Sequence, residues 1–80
     1  LTVEQREDYI KLLGRKLEGA KNMLRDARGD FRKKIMDAKN DKEISEDEFK
    51  RDEAELQKMT DNYMDKIEAI AKKKEGEIRA

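Results

Sequence analysis

Four cations, Lys21, Arg25, Arg28 and Arg32, recur at i, i+4, i+7 and i+11. At ~100° of rotation per residue they fall within an arc of about 60° on a helix. Such a row suits a phosphate backbone. A guanidinium presents a rigid fork of N–H donors, and each neutralised phosphate releases counterions. No aromatic residue is interleaved with the row, so base stacking is not expected. Contacts would go to phosphate and sugar, reading shape rather than sequence. The plainer alternative is a solvated helix face whose charges pair locally with Asp26 and Asp30. The charge distribution adds weight to the first reading without displacing the plainer one. Residues 1–39 carry 11 basic and 7 acidic groups, a net of +4, and residues 40–80 carry 9 basic and 13 acidic groups, a net of −4. The formal net charge of zero is a cancellation between a basic half and an acidic half.

Other chemistry is poorly provided for. The chain holds no Cys, His, Trp or Pro. That removes thiol nucleophiles, disulfides, zinc fingers, Ser-His-Asp triads and histidine metal sites. Asp37, Asp41, Glu43, Ser45 and Glu48 match five ligand places of a calcium loop. Lys39 stands at a ligand place, however, and Lys42 replaces the glycine of the sharp turn. Capping accounts for these residues more simply, so no metal and no cofactor is expected. Carboxylate pairs such as Asp52–Glu55 and Asp61–Asp65 have the spacing of acid/base dyads, but a catalytic pair needs a desolvated cleft. The reading is of a protein that binds and is not an enzyme.

The elements that must carry the cation row are helices. Half of the residues are charged with interspersed signs, and the apolar residues are periodic, which argues against disorder. Thr2 and Gln5 form a capping box, with Glu4, Glu7 and Asp8 near the positive helix end. Ile10, Leu13, Leu17, Ala20, Leu24, Ala27 and Phe31 follow at alternating spacings of three and four, and Ile35 and Ala38 continue the line. One helix is expected over about 3–39, roughly 55 Å long, despite Gly14, Gly19 and Gly29. Residues 40–45 read as a turn. Ser45 and Glu48 form a second capping box, with Ile44 and Phe49 as the hydrophobic staple. The second helix, about 46–79, carries Leu56, Met59, Tyr63, Ile67, Ile70 and Ile78, with Met59 and Tyr63 expected in the core. Leu56, Ile67 and Ile78 are spaced by eleven, and so are Met59 and Ile70, which keeps the stripe nearly straight. Lys72, Lys73 and Lys74 have the charge to touch a membrane or nucleic acid, but complementing the negative end of this helix accounts for them more simply.

The fold class is therefore all-α, a long antiparallel helical hairpin. Each apolar stripe is wider than one seam, because Leu12, Met23, Met36 and Met64 lie off it. A third or fourth helix is expected, from the same protein, a second copy or a partner. No apolar run is long enough to cross a membrane. The first residue is Leu rather than Met, which leaves a processed chain or a piece of a longer protein open.

Five segments resemble the C-terminal part of bacterial-type ribosome recycling factors. They are Leu1-Thr2-Val3-Glu4-Gln5-Arg6, Arg25-Asp26-Ala27-Arg28-Gly29-Asp30, Asp41-Lys42-Glu43-Ile44-Ser45-Glu46-Asp47, Gln57-Lys58-Met59-Thr60-Asp61 and Lys74-Glu75-Gly76-Glu77-Ile78. The turn segment is the most specific. The resemblance implies two helices of a three-helix bundle, with residues 1–80 a partial bundle domain. The N-terminal helix and an inserted β-rich domain would be absent. It implies a non-catalytic factor that binds large ribosomal subunit RNA after termination; a cytoplasmic location is expected separately, from a polar chain without a targeting segment. With elongation factor G and GTP, such a factor splits the ribosome. By this resemblance Arg25 and Arg28 contact RNA; Arg32 and Lys21 join them as candidates from the spacing of the cation row alone. The family often has a third arginine directly after the second, where this chain has Gly29. The other hypothesis from the residues is a free-standing helical interaction module with no RNA partner. As an isolated hairpin the chain is expected to self-associate or to be marginal.

Overall fold

A computed structural model describes all 80 residues. Helix α1 spans Val3–Asn40 and helix α2 spans Glu46–Arg79. They fold back antiparallel into a rod with extents of 60 × 15 × 9 Å. No helix is long and apolar enough to cross a membrane.

Both helix starts are built from the residues that the pattern picked out. The Thr2 hydroxyl accepts the Gln5 N–H at 3.1 Å, and the Gln5 side chain accepts the Thr2 N–H at 2.9 Å. At α2, the Ser45 hydroxyl accepts the Glu48 N–H at 3.0 Å, and the Glu48 carboxylate accepts the Ser45 N–H at 3.2 Å. Each pair satisfies two backbone donors that the helix leaves free. The Ser45 N–H, followed by the Ser45 hydroxyl, holds the Glu48 carboxyl below its ordinary value.

The end of α1 closes in a way the sequence did not announce. The Lys42 N–H donates to the Lys39 carbonyl at 3.0 Å, and the Glu43 N–H donates to the Ala38 carbonyl at 2.8 Å. These two bonds define a Schellman motif, whose left-handed residue is usually glycine. Here it is Lys42, with φ of 61°. The turn is tight at the cost of about 1 kcal/mol of local strain.

The core is thin. Only Phe49, Thr60 and Ala71 are buried, all on α2. They too are spaced by eleven, but on a different line from the one the apolar pattern marked. Rotation at ~100° per residue puts their line roughly 50° from the centre of the expected stripe. Leu56, Ile67 and Ile78 are half-buried, whereas Met59, Tyr63 and Ile70 are exposed, Tyr63 by 51% and Ile70 by 67%. The expectation that Met59 and Tyr63 are core is therefore corrected. A seam between two helices is narrower than the stripe, and α2 approaches α1 along its small residues Thr60 and Ala71. The Thr60 hydroxyl is satisfied by donating to the Leu56 carbonyl at 2.8 Å. On α1 the same narrowness leaves Phe31, Leu12 and Met23 exposed.

The open end is held by charge. Arg79 donates to Glu7 at 3.0 Å and to Glu75 at 3.2 Å. Both carboxylates, Glu75 first, raise the Arg79 pKa. The Arg6 guanidinium lies 3.5 Å from the Arg79 carbonyl, a cation at the negative end of α2.

Candidate nucleic-acid interface

The rotation of α2 that uncovers Tyr63 and Ile70 carries Glu53, Gln57 and Glu68 to the opposite edge of the seam. The two sets of α2 residues point roughly 130° apart. The edge holding Glu53, Gln57 and Glu68 is where the α1 cation row lies. Three of the four cations reach across to α2, and one does not.

Lys21 donates to Glu68 at 2.7 Å, with Glu18 a further 3.9 Å contact. Its side chain is only 17% exposed, so the ammonium sits in the seam. Arg32 Nε donates to Glu53 at 2.8 Å. Arg28 Nη1 donates to the Gln57 carbonyl oxygen at 3.2 Å. Arg25 stays on its own helix and donates to the Asn22 side-chain oxygen at 3.0 Å. The expected local pairing with Asp26 and Asp30 does not occur.

The row therefore divides. Its outer members, Lys21 and Arg32, each face a carboxylate that cancels their charge. Its middle members, Arg25 and Arg28, are held by neutral amide oxygens, which orient a guanidinium without cancelling it. Gln57 is itself oriented, because its amide nitrogen donates to Asp61 at 2.9 Å. The arrangement can bind anionic oxygens through two adjacent guanidiniums. It has no enclosed, desolvated pair of titratable groups with which to do acid/base work. Asn22 and Gln57 were not legible as part of the row. Their spacing from the arginines had no distinctive motif, and the Gln57 contact crosses between helices.

The opposite edge is an open apolar trough. Ala20, Met23, Leu24, Ala27, Tyr63 and Ile67 line its middle. Leu13, Leu17 and Ile70 extend it toward the open end. Lys34 sits over the Phe31 ring at 5.6 Å and Lys66 over the Tyr63 ring at 5.4 Å, so cations rim the exposed aromatics.

The chain is thus a long helical hairpin with a cationic row on one edge and an open apolar trough on the other. The family model for ribosome recycling factor matches residues 1–78, and the chain belongs to that family. Among its relatives, the ribosome-recycling factor of Carboxydothermus hydrogenoformans is 41% identical over 78 residues. Those of Solidesulfovibrio magneticus and Campylobacter curvus are each 40% identical over 78 residues. In each case the match covers 98% of this chain and 42% of the relative. The chain thus spans well under half the length of the relatives it matches. No solved structure gave a significant match.

Proposed function

We propose that this hairpin is the RNA-binding part of a ribosome recycling factor. It docks on large ribosomal subunit RNA after termination, in the cytoplasm, with Arg25 and Arg28 against phosphates and Arg32 and Lys21 flanking them. The observation that carries the reading is the pair of guanidiniums on the family's arginine-rich segment whose hydrogen-bond partners are amide oxygens rather than carboxylates, within a helix of net charge +4 over residues 1–39. In the complete factor, splitting of the ribosome involves elongation factor G and GTP. The part played by these 80 residues is binding rather than catalysis. Residues 1–80 contribute two helices of a three-helix bundle, and the third helix fills the trough lined by Leu24, Tyr63 and Ile67.

The test is co-sedimentation with purified large ribosomal subunits. Arg25→Glu with Arg28→Glu is expected to abolish binding while leaving the helical circular-dichroism signal intact. Unchanged binding would overturn the reading. The 80 residues alone are expected not to split ribosomes when elongation factor G and GTP are supplied. Efficient splitting would show that the rest of a full-length factor is dispensable.

A helical interaction module with no RNA partner would use the same trough, but the family match does not favour it. The same double variant separates the two, since a partner helix in the trough would still bind it.

A further inference from the structure

The two middle arginines and the two outer cations of the row are held by different chemistry, and the difference follows charge. Both outer cations have a carboxylate from α2 within salt-bridge distance, Glu68 for Lys21 at 2.7 Å and Glu53 for Arg32 at 2.8 Å. Both middle arginines have an amide oxygen instead, Asn22 for Arg25 at 3.0 Å and Gln57 for Arg28 at 3.2 Å. A carboxylate competes with an incoming phosphate for the same donors. An amide oxygen takes one N–H, restricts the long side chain and leaves the unit charge available. Gln57 is directed by a second bond. Its amide N–H donates to Asp61 at 2.9 Å, which turns the carbonyl oxygen toward Arg28.

We infer that Asn22 and Gln57 are positioning residues for a two-phosphate site at Arg25 and Arg28. Glu53 and Glu68 set the limits of that site by occupying the neighbouring cations. The inference rests on the reading that the cation row binds RNA, and deepens it. The amides present two guanidiniums already extended from the helix surface, so less side-chain freedom is lost when phosphate binds. The carboxylates confine the strongest positive potential to about one helical turn instead of the whole row. The site then selects two adjacent phosphates rather than any polyanion lying along the rod.

The prediction has signs that a merely structural role would not give. Gln57→Glu is nearly isosteric and places a carboxylate opposite Arg28, but it also gives up the bond to Asp61 and sets two carboxylates four residues apart. The gain and the loss offset, so thermal stability and helicity are expected to stay near the parent's while large-subunit binding weakens about tenfold and the salt dependence flattens by roughly one counterion. Asn22→Asp is expected to act in the same direction at Arg25. Glu53→Gln and Glu68→Gln each remove a cross-helix ion pair. They are expected to lower stability slightly, yet to tighten binding several-fold and steepen the salt dependence.

The experiment measures binding of the full 80-residue chain to purified large ribosomal subunits across a KCl series. Each of the four variants is assayed beside Arg25→Ala/Arg28→Ala, with a thermal melt for every protein. Weaker binding in Gln57→Glu and Asn22→Asp without loss of helicity, and tighter binding in Glu53→Gln and Glu68→Gln despite slightly lower melts, support the inference. Should the double alanine variant lose binding while all four others match the parent chain, the inference fails and the RNA reading stands. Loss of affinity in Gln57→Glu accompanied by loss of helicity would also overturn the inference, because the role would then be structural. If the double alanine variant binds as the parent does, the RNA reading itself falls, and this inference with it.

Discussion

The two long edges of the hairpin use the same two helices in opposite ways. On one edge, α1 cations meet α2 acceptors, and each of the four members of the row has a partner within 3.2 Å. On the other edge, Met23, Phe31, Met59, Tyr63 and Ile70 stand exposed with nothing packed over them. The polar edge can be satisfied by two helices because an ion pair needs only one reach across the seam. The apolar edge cannot, because burying a broad stripe takes a surface of matching width. The lesson is that the hairpin has a finished electrostatic side and an unfinished hydrophobic side. Only the finished side can display a site that depends on precise side-chain direction.

This contrast makes apolar burial in the seam, not the ion pairs, the main source of stability. The largest expected effect is at Phe49, buried beside the turn with Lys39 Nζ 4.4 Å from its ring centre. Phe49→Ala should cost about 3 kcal/mol, read as a lower midpoint in urea by circular dichroism. If Glu53→Gln with Glu68→Gln costs more than Phe49→Ala, the contrast is inverted.

Next comes backbone strain at the turn joining the two edges. Lys42→Gly relieves a left-handed lysine and should stabilise the hairpin by about 1 kcal/mol, raising the thermal midpoint. A lower midpoint would mean that the Lys42 side chain contributes more than its backbone strain costs.

The glycines of α1 sharpen the comparison further. A Cβ added at Gly14, Gly19 or Gly29 meets nothing within 4 Å. Alanine at each should raise stability by up to ~1 kcal/mol through helix propensity alone, additively in melts of single and double variants. A loss at any one would place an unseen contact there.

Glu68→Gln should cost less than ~1 kcal/mol, since the Lys21–Glu68 pair is half open to solvent on the glutamate side. Adding 1 M KCl should mimic most of that small change in the parent chain.

The smallest effect is on pH. The Glu48 carboxyl is held below its ordinary value, chiefly by the Ser45 N–H. Its contribution to capping α2 is therefore fully present above the ordinary glutamate range. It is lost as pH falls through the lowered folded value. Acid titration of Glu48→Gln should lack that step, whereas the parent chain should show it.

Much of this protein was legible from residue spacing, and the reasons are local. The capping boxes at Thr2 and Ser45 depend on contacts three residues apart, so the sequence spells out both helix starts. The apolar period marked two long helices with a short turn between them. The excess width of the stripes over a two-helix seam implies the open trough. The row Lys21, Arg25, Arg28 and Arg32 was visible because a helix repeats its faces every three to four residues.

What needed the tertiary structure was rotation. Turning α2 by about 50° exchanges Met59, Tyr63 and Ile70 for Phe49, Thr60 and Ala71 at the centre of the seam. Helical periodicity fixes the angles between residues on one helix but not how that helix faces its neighbour. The same rotation decides which α2 residue lies opposite each cation, and so which cations are cancelled by Glu53 and Glu68 and which is held by Gln57. Residue spacing alone dictates the two helices, their starts and the charged row. Only the packing of one helix on the other decided which charges in that row are left free.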